Sequence, residues 1–152
     1  MLIHALNNKE CGEVLKRQGF GTLGCASKNQ PYLVPTYFAY EPDRLFGFST
    51  TGQKIEWMRS NPLVCVNAYE VAGHDNWTSV LVLGRYEELA NEPEYAGTRF
   101  HAHALMRDRS LSWQIAIESS QTRGKRFGPF PVFYCIHIDE MTGRRASPDK
   151  QR

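Results

Sequence analysis

The sequence predicts a mainly β protein, a small six-stranded antiparallel barrel with helices at its edges. Three observations point to it. Runs rich in aromatic and β-branched residues recur along the chain. Most of them are joined by short polar turns. Helical segments are few and do not alternate with the strands, so neither a βαβ unit nor a doubly wound parallel sheet is indicated.

Bulk properties bound the answer. The 152 residues are 41% hydrophobic and 22% charged, as expected for one globular domain, and a chain of this size buries roughly 70% of its unfolded surface. A net charge of +2 is too mild to indicate nucleic acid or a membrane surface as partner. Residues 144–152 are polar and basic and read as a frayed end, so the domain is drawn at 1–145 with a tail at 146–152. Cysteines stand at 11, 25, 65 and 135 with no CxxC pair, the pattern of free thiols in a reducing compartment. The opening MLIHALNNKE is unlike a signal peptide, and the longest apolar run, 80–83, is too short to cross a bilayer. A cytoplasmic location is therefore expected.

Taken in order, Asn7 or Asn8 caps a first helix that carries Val14 and Leu15 inward and ends near Gln18-Gly19. Gly12 weakens that helix. Residues 20–27 form a strand rich in small residues, and 27–30 a polar turn. Residues 32–40 form a strong second strand, in which Pro31 and Pro35 imply an edge or a bulge, because proline cannot donate to the ladder. A turn at 41–44 leads to a third strand at 45–49. After a short helix, 63–69 is the fourth strand and 71–76 a loop. Residues 77–89 are a long fifth strand with a bulge at Gly84. Asn91 and Pro93 open a helix to about Arg107, with Tyr95, Phe100, Ala104 and Leu105 inward. A second short helix at 110–120, a polar loop at 119–128 and a sixth strand at 131–138 complete the pattern.

The rest is organised around 46–62, FGFSTTGQKIEWMRSNP. An apolar strand ends in Ser49, Thr50 and Thr51; Gly52 and Lys54 follow, and then a helix start. Helix-start N–H groups, hydroxyls, a glycine and a lysine suit an anion. A plain alternative is a helix capped by Thr51 with Lys54 in solvent. The resemblance to a phosphate-binding P-loop fails: one residue separates the second glycine from the lysine, and Ile55 stands where a magnesium-binding hydroxyl belongs. A second informative stretch is Asn76-Trp77-Thr78-Ser79-Val80. It reads either as core and ladder residues or as the wall of a flat ligand. Thr22-Leu23-Gly24 offers the same choice, and Gly24 permits close approach. His101 and His103 are two apart on a helix and make a poor metal pair; His74-Asp75 lacks a third ligand, so no metal site is expected. With no nucleophile–base pair in view, any chemistry falls to a bound cofactor.

Together GTLGCA (21–26), PYLVPTYFAY (31–40), FSTTGQKIEWMRSNP (48–62), NWTSVLVLGRYEEL (76–89) and YCIHIDEMTGR (134–144) resemble the pyridoxamine 5′-phosphate oxidase-like FMN-binding split-barrel superfamily. The resemblance runs from about Cys11 to Arg144 and is nearest to the branch that includes nitroimidazole-resistance proteins. It implies a split β-barrel that forms a homodimer with FMN at the subunit interface. It further implies that Thr22 and Leu23 lie along the isoalloxazine ring and that Ser49, Thr50, Thr51 and Lys54 hold the phosphate. Trp77, Ser79 and Val80 would approach the ring from the other side, often from the partner subunit. Arg59 either helps the phosphate or faces solvent.

Two departures bear on the reaction. Pyridoxamine phosphate oxidases end in a Trp and an Arg-Leu-His-like run, whereas this chain ends IDEMTGRRASPDKQR, so oxidation of pyridoxamine phosphate is not expected. Many nitroimidazole-resistance proteins carry a histidine where Phe48 stands, which argues against nitro-group reduction. The resulting expectation is an FMN-dependent oxidoreductase acting on a small organic substrate. The rivals are a flavin-binding carrier or redox sensor without turnover, and a barrel of the same superfamily holding deazaflavin or haem.

Overall fold

The computed structural model describes residues 1–107 and 132–149. Chain order is β1 (Leu2–Leu6), α1 (Asn8–Gln18), β2 (Phe20–Ser27), β3 (Gln30–Glu41), β4 (Arg44–Ser49), α2 (Gln53–Ser60), β5 (Leu63–Gly73), β6 (Asn76–Glu88), a 3-10 turn (Pro93–Tyr95), α3 (Ala96–Arg107) and β7 (Val132–Ser147). All pairings are antiparallel, in the order β1-β7-β4-β3-β2-β5-β6, and β6 pairs back onto β7. That last ladder closes a ring of six strands, β2-β3-β4-β7-β6-β5, which is the predicted barrel. β1 lies outside the ring. It pairs with the far end of β7, from Leu2↔Ser147 to Leu6↔Gly143.

Local chemistry explains the elements. Asn7 caps α1 through a reciprocal box: its side chain accepts from the Glu10 N–H at 2.9 Å, and the Glu10 carboxylate accepts from the Asn7 N–H at 2.8 Å. Gly19 ends the helix in the left-handed region at φ 59°. Gly12 is required by packing, since a Cβ there would lie 2.7 Å from the Tyr40 hydroxyl oxygen. β4 pairs β3 only over Phe38–Glu41, so Pro31 and Pro35 occupy the part of β3 paired to β2 alone. Gly84 marks the expected bulge, where the β6–β7 register slips between Leu83↔Glu140 and Gly84↔Ile138.

Two cores follow from the alternation. Val14, Leu15, Leu23, Ile55, Met58, Val66 and Val80 fill the barrel and its α1 and α2 covers. A second cluster lies under α3 on the outside of β3, β4 and β7, where Phe46, Ala102, Met106, Phe133 and Cys135 pack together.

Several expectations are corrected. The 71–76 loop is a two-residue turn, since β5 runs to Gly73 and β6 starts at Asn76. The 3-10 turn precedes α3. Tyr95 and Leu105 pack against the second core as expected, with Ala102 and Met106 buried beside them, while Phe100 is 79% exposed. The sixth predicted strand does not stop at Ile138, nor does a frayed end begin at Arg144. β7 continues to Ser147, held between β6 and β1, and Ala146 is fully buried. β1 itself was not foreseen. The expected helix at 110–120, the loop at 119–128 and the start of the last strand at Pro131 lie outside the described residues.

Candidate functional site

The residues expected to hold an anion converge at the β4–α2 junction. Ser49 ends β4, and α2 starts at Gln53. Gly52 rather than Thr51 occupies the cap position. It brings no side chain, so the cap residue itself makes no side-chain hydrogen bond to the helix start. The buried Ser49 hydroxyl donates to Thr50 O at 2.9 Å; Thr50 and Thr51 are exposed.

Lys54 is the notable group. It is half-buried, and among the described residues its ammonium makes no hydrogen bond or ion pair. Burial holds its pKa below the ordinary lysine value, an effect the Cys25 thiol partly opposes. Cys25 responds in kind: burial raises its pKa, Cys65 raises it further and Lys54 lowers it. The lysine at the helix start and Cys25 on β2 are thus electrostatic neighbours. Arg59 is committed elsewhere, to Glu88 through Nη2 at 2.6 Å and Nε at 3.1 Å.

Cys25 also borders an apolar cleft of about 450 Å³ on the outer face of the barrel, floored by Gly24 and Gly84 and walled by Leu33, Leu63, Cys65 and Leu83. Gly24 is needed for this surface, because a Cβ there would meet Cys65 Sγ at 2.6 Å. Thr22, two residues before Gly24 on β2, sits in register with Asn67 of β5. A second cleft, of about 320 Å³, contains Trp77 and Ser79 together with Asn67, Thr142 and Arg144.

The ring-side residues therefore divide. Thr22, Trp77 and Ser79 point outward. Leu23 and Val80 are fully buried in the barrel interior, so they can offer a ligand only their backbones. Asn67 was missed. Its signal was a lone amide in the apolar run LVCVNA, but only the β2–β5–β6 register shows what it joins. All four cysteines are free, and three of them are buried. No described helix is long and apolar enough to cross a membrane.

Comparison with known proteins agrees with this architecture. A family model described as pyridoxamine 5′-phosphate oxidase matches residues 7–145. The chain belongs to that family. An uncharacterized protein of Rhizobium meliloti is 36% identical over 146 residues, covering 96% of this chain and 97% of its own. Among solved structures, an FAD-binding protein of Mesorhizobium loti is 38% identical, with TM-score 0.77 over 97% of this chain and 99% of that one. A proposed 5-nitroimidazole antibiotic resistance protein of Bacteroides thetaiotaomicron shares the fold at 21% identity, with TM-score 0.66 over 97% and 93% of the two chains. The pyridoxamine 5′-phosphate oxidase-like fold is thus common to the family and to this chain. Phe48, the departure noted above, is half-buried and stacks edge-on with Phe133 at 5.4 Å in the cluster beneath α3.

Proposed function

We propose that this chain is an FMN-binding flavoprotein that acts as a homodimer and as an oxidoreductase on a small organic substrate. The observation that carries the reading is Lys54. A half-buried ammonium with no counter-ion among the described residues, next to a helix start whose cap is a glycine and to three hydroxyl residues, is costly unless an anion completes it. That donor set fits a phosphate monoester. Cys25 packs its side chain in the barrel core, and beside it in β2 Gly24 floors the apolar cleft on the outer face, which suits the flat apolar body of an isoalloxazine. In this reading Ser49, Thr50, Thr51 and Lys54 hold the phosphate, and Thr22 with the backbone of Leu23 borders the ring. In the homodimer, the same outer face of the partner subunit, with its Trp77, Ser79 and the backbone of Val80, supplies the opposite wall. When bound, the flavin supplies hydride and electron chemistry; the chain supplies position, charge and a dry surface. The homodimer is supported by the exposed Leu33, Leu63, Leu81 and Leu83 on β3, β5 and β6, an apolar face suited to a second copy.

FAD is the second reading, favoured by the 38% identical relative described as FAD-binding. FAD carries the same ring and inner phosphate, so the same residues would serve. Purified protein titrated with FMN, FAD and riboflavin distinguishes them. FMN should bind tightest and give visible flavin absorbance that co-elutes with a dimer. Tighter FAD would change the cofactor, and protein that takes up no flavin would refute the assignment. Turnover with a reduced nicotinamide and an electron acceptor tests the oxidoreductase. Flavin bound without any turnover would leave a carrier or redox sensor.

A further inference from the structure

The cleft on the outer face of β5, β6 and β7 has an ordered polar lining. Strand register assembles it: Leu81 lies between Asn67 and Thr142, and Ser79 between Tyr69 and Arg144. Asn67 Nδ2 donates to Ser79 Oγ at 2.9 Å and to Val80 O at 3.0 Å. Both amide hydrogens are thereby used, and Asn67 Oδ1 remains as an acceptor. Ser79 Oγ accepts that bond and keeps its own hydrogen to donate. Trp77 contributes an aromatic surface.

Arg144 differs from the other arginines of the sheets. Arg145 donates to Thr78 Oγ1 at 3.4 Å. Arg44 and Arg85 hold carboxylates, as do Arg17 and Arg59 on the helices. Arg144 is exposed, has no hydrogen bond or ion pair among the described residues, and lines the rim of the cleft. An acceptor, a donor and a cation with no partner among the described residues, beside an indole, match the imide edge of an isoalloxazine, where an N–H lies between two carbonyls.

We propose that this cleft receives the pyrimidine edge of the flavin and that Arg144 sets its reduction potential. The assignment rests on the flavin reading above and deepens it. A reduced nicotinamide delivers a hydride, two electrons and one proton together, which leaves one net negative charge on the ring system. The donor leaves as its oxidised cation, so atoms and charge balance. Arg144 stabilises the charged, reduced ring more than the neutral, oxidised one, and only such differential interaction moves an equilibrium. Arg144 is therefore an electrostatic tuning residue, and the phosphate end at Lys54 supplies most of the affinity.

The test uses FMN-loaded protein with Arg144→Gln and Arg144→Lys. Oxidised-FMN affinity is read by fluorescence titration. The potential is read by slow reduction in the presence of a reference dye. Arg144→Gln removes one contact to the imide edge and should weaken oxidised FMN less than it weakens the reduced form. Its reduced-to-oxidised ratio at a fixed dye ratio should fall about tenfold, which is about 30 mV for a two-electron couple. Arg144→Lys keeps the charge and should recover most of that ratio. A glutamine variant with wild-type potential overturns the proposal while leaving FMN binding intact. Loss of oxidised-FMN binding in the same variant also overturns it, because Arg144 would then be a general anchor. Wild-type protein that binds no flavin overturns the function above and this assignment with it.

Discussion

Replacing Lys54 with methionine separates a cation kept for a ligand from one kept for the fold. Methionine preserves the length and most of the packing of the stem. In the ligand-free protein the ammonium is half-buried, has no partner among the described residues and is held below its usual pKa by burial. Removing it relieves a desolvation cost, so Lys54→Met should leave the free protein as stable as wild type or slightly more so. In the flavin complex the same group makes a charge-assisted hydrogen bond to phosphate, worth about 1.5–3 kcal/mol. FMN should therefore bind roughly 10- to 150-fold more weakly to the variant. Riboflavin lacks the phosphate and should bind both proteins alike. The pH dependence has a definite sign. A lysine whose folded pKa is depressed carries its cost wherever it is charged in both states, below that folded pKa. The cost disappears as pH rises toward the ordinary value of 10.5. Wild-type stability without flavin should thus gain a contribution over that alkaline interval, and the variant should lack it. Denaturant titration across pH and fluorescence titration of the two flavins measure all three quantities. Equal weakening of FMN and riboflavin, or a variant that is clearly less stable without flavin, would refute the reasoning.

Other outcomes follow from single contacts. Gly21→Ala would place a Cβ 2.3 Å from the Asn67 carbonyl oxygen, a backbone atom that cannot rotate away. It should cost toward the upper end of about 1–3 kcal/mol in equilibrium unfolding; a neutral effect would mean that β2 and β5 do not approach so closely. Among the described residues the Tyr86 hydroxyl is buried with no hydrogen bond of good geometry, and burial, with the Glu88 carboxylate nearby, pushes its pKa well up, so Tyr86→Phe should be neutral or stabilising by about 1 kcal/mol. Clear destabilisation would reveal a partner. The Arg17 guanidinium holds Glu70 below its ordinary 4.5, with Gln18 assisting. Arg17→Ala should cost at most about 1 kcal/mol near neutrality, as the pair is partly exposed. A depressed carboxylate stabilises above its unfolded pKa and loses that contribution as pH falls through the folded one. The difference between variant and wild type should therefore vanish in acid; a difference constant with pH would place the effect in packing.

Much of the barrel was legible because its signals are local. Asn7, Gly19, the turn at 41–44 and the Gly84 bulge each act within a few residues, and the structure has all of them. The failures arise where distant segments decide. β1 has no local strand signal beyond its apolar start, and it is ordered by β7, some 140 residues away. Residues 144–147 look like a polar tail because only their pairing with β1 and β6 gives them partners. Phe100 is apolar and so reads as inward, but the face of α3 that meets the second core carries Ala102, Leu105 and Met106 and leaves Phe100 in solvent.

The candidate site divides along the same line. Ser49 through Lys54 are contiguous, so strand, turn and helix start could be read from one stretch. The ring side is spread over β2, β5, β6 and β7. There the period of two decides which side chains face out, and a shift of one residue reverses the answer. Choosing Leu23 beside Thr22 and Val80 beside Ser79 joined inward and outward neighbours, and the inward pair fills the barrel. The same alternation turns Thr22, Asn67, Ser79 and Leu81 to the outer face, and the ladders align Asn67 with Thr22 on one side and Leu81 on the other. Asn67 is thus the hinge of the site in physical terms. Its amide nitrogen ties β5 to β6 by two hydrogen bonds, its oxygen keeps its acceptor capacity, and the residue lines the cleft. A lone polar residue in an apolar strand therefore repays attention once register is known, since its hydrogen-bond partners identify the face on which a ligand would find both a donor and an acceptor.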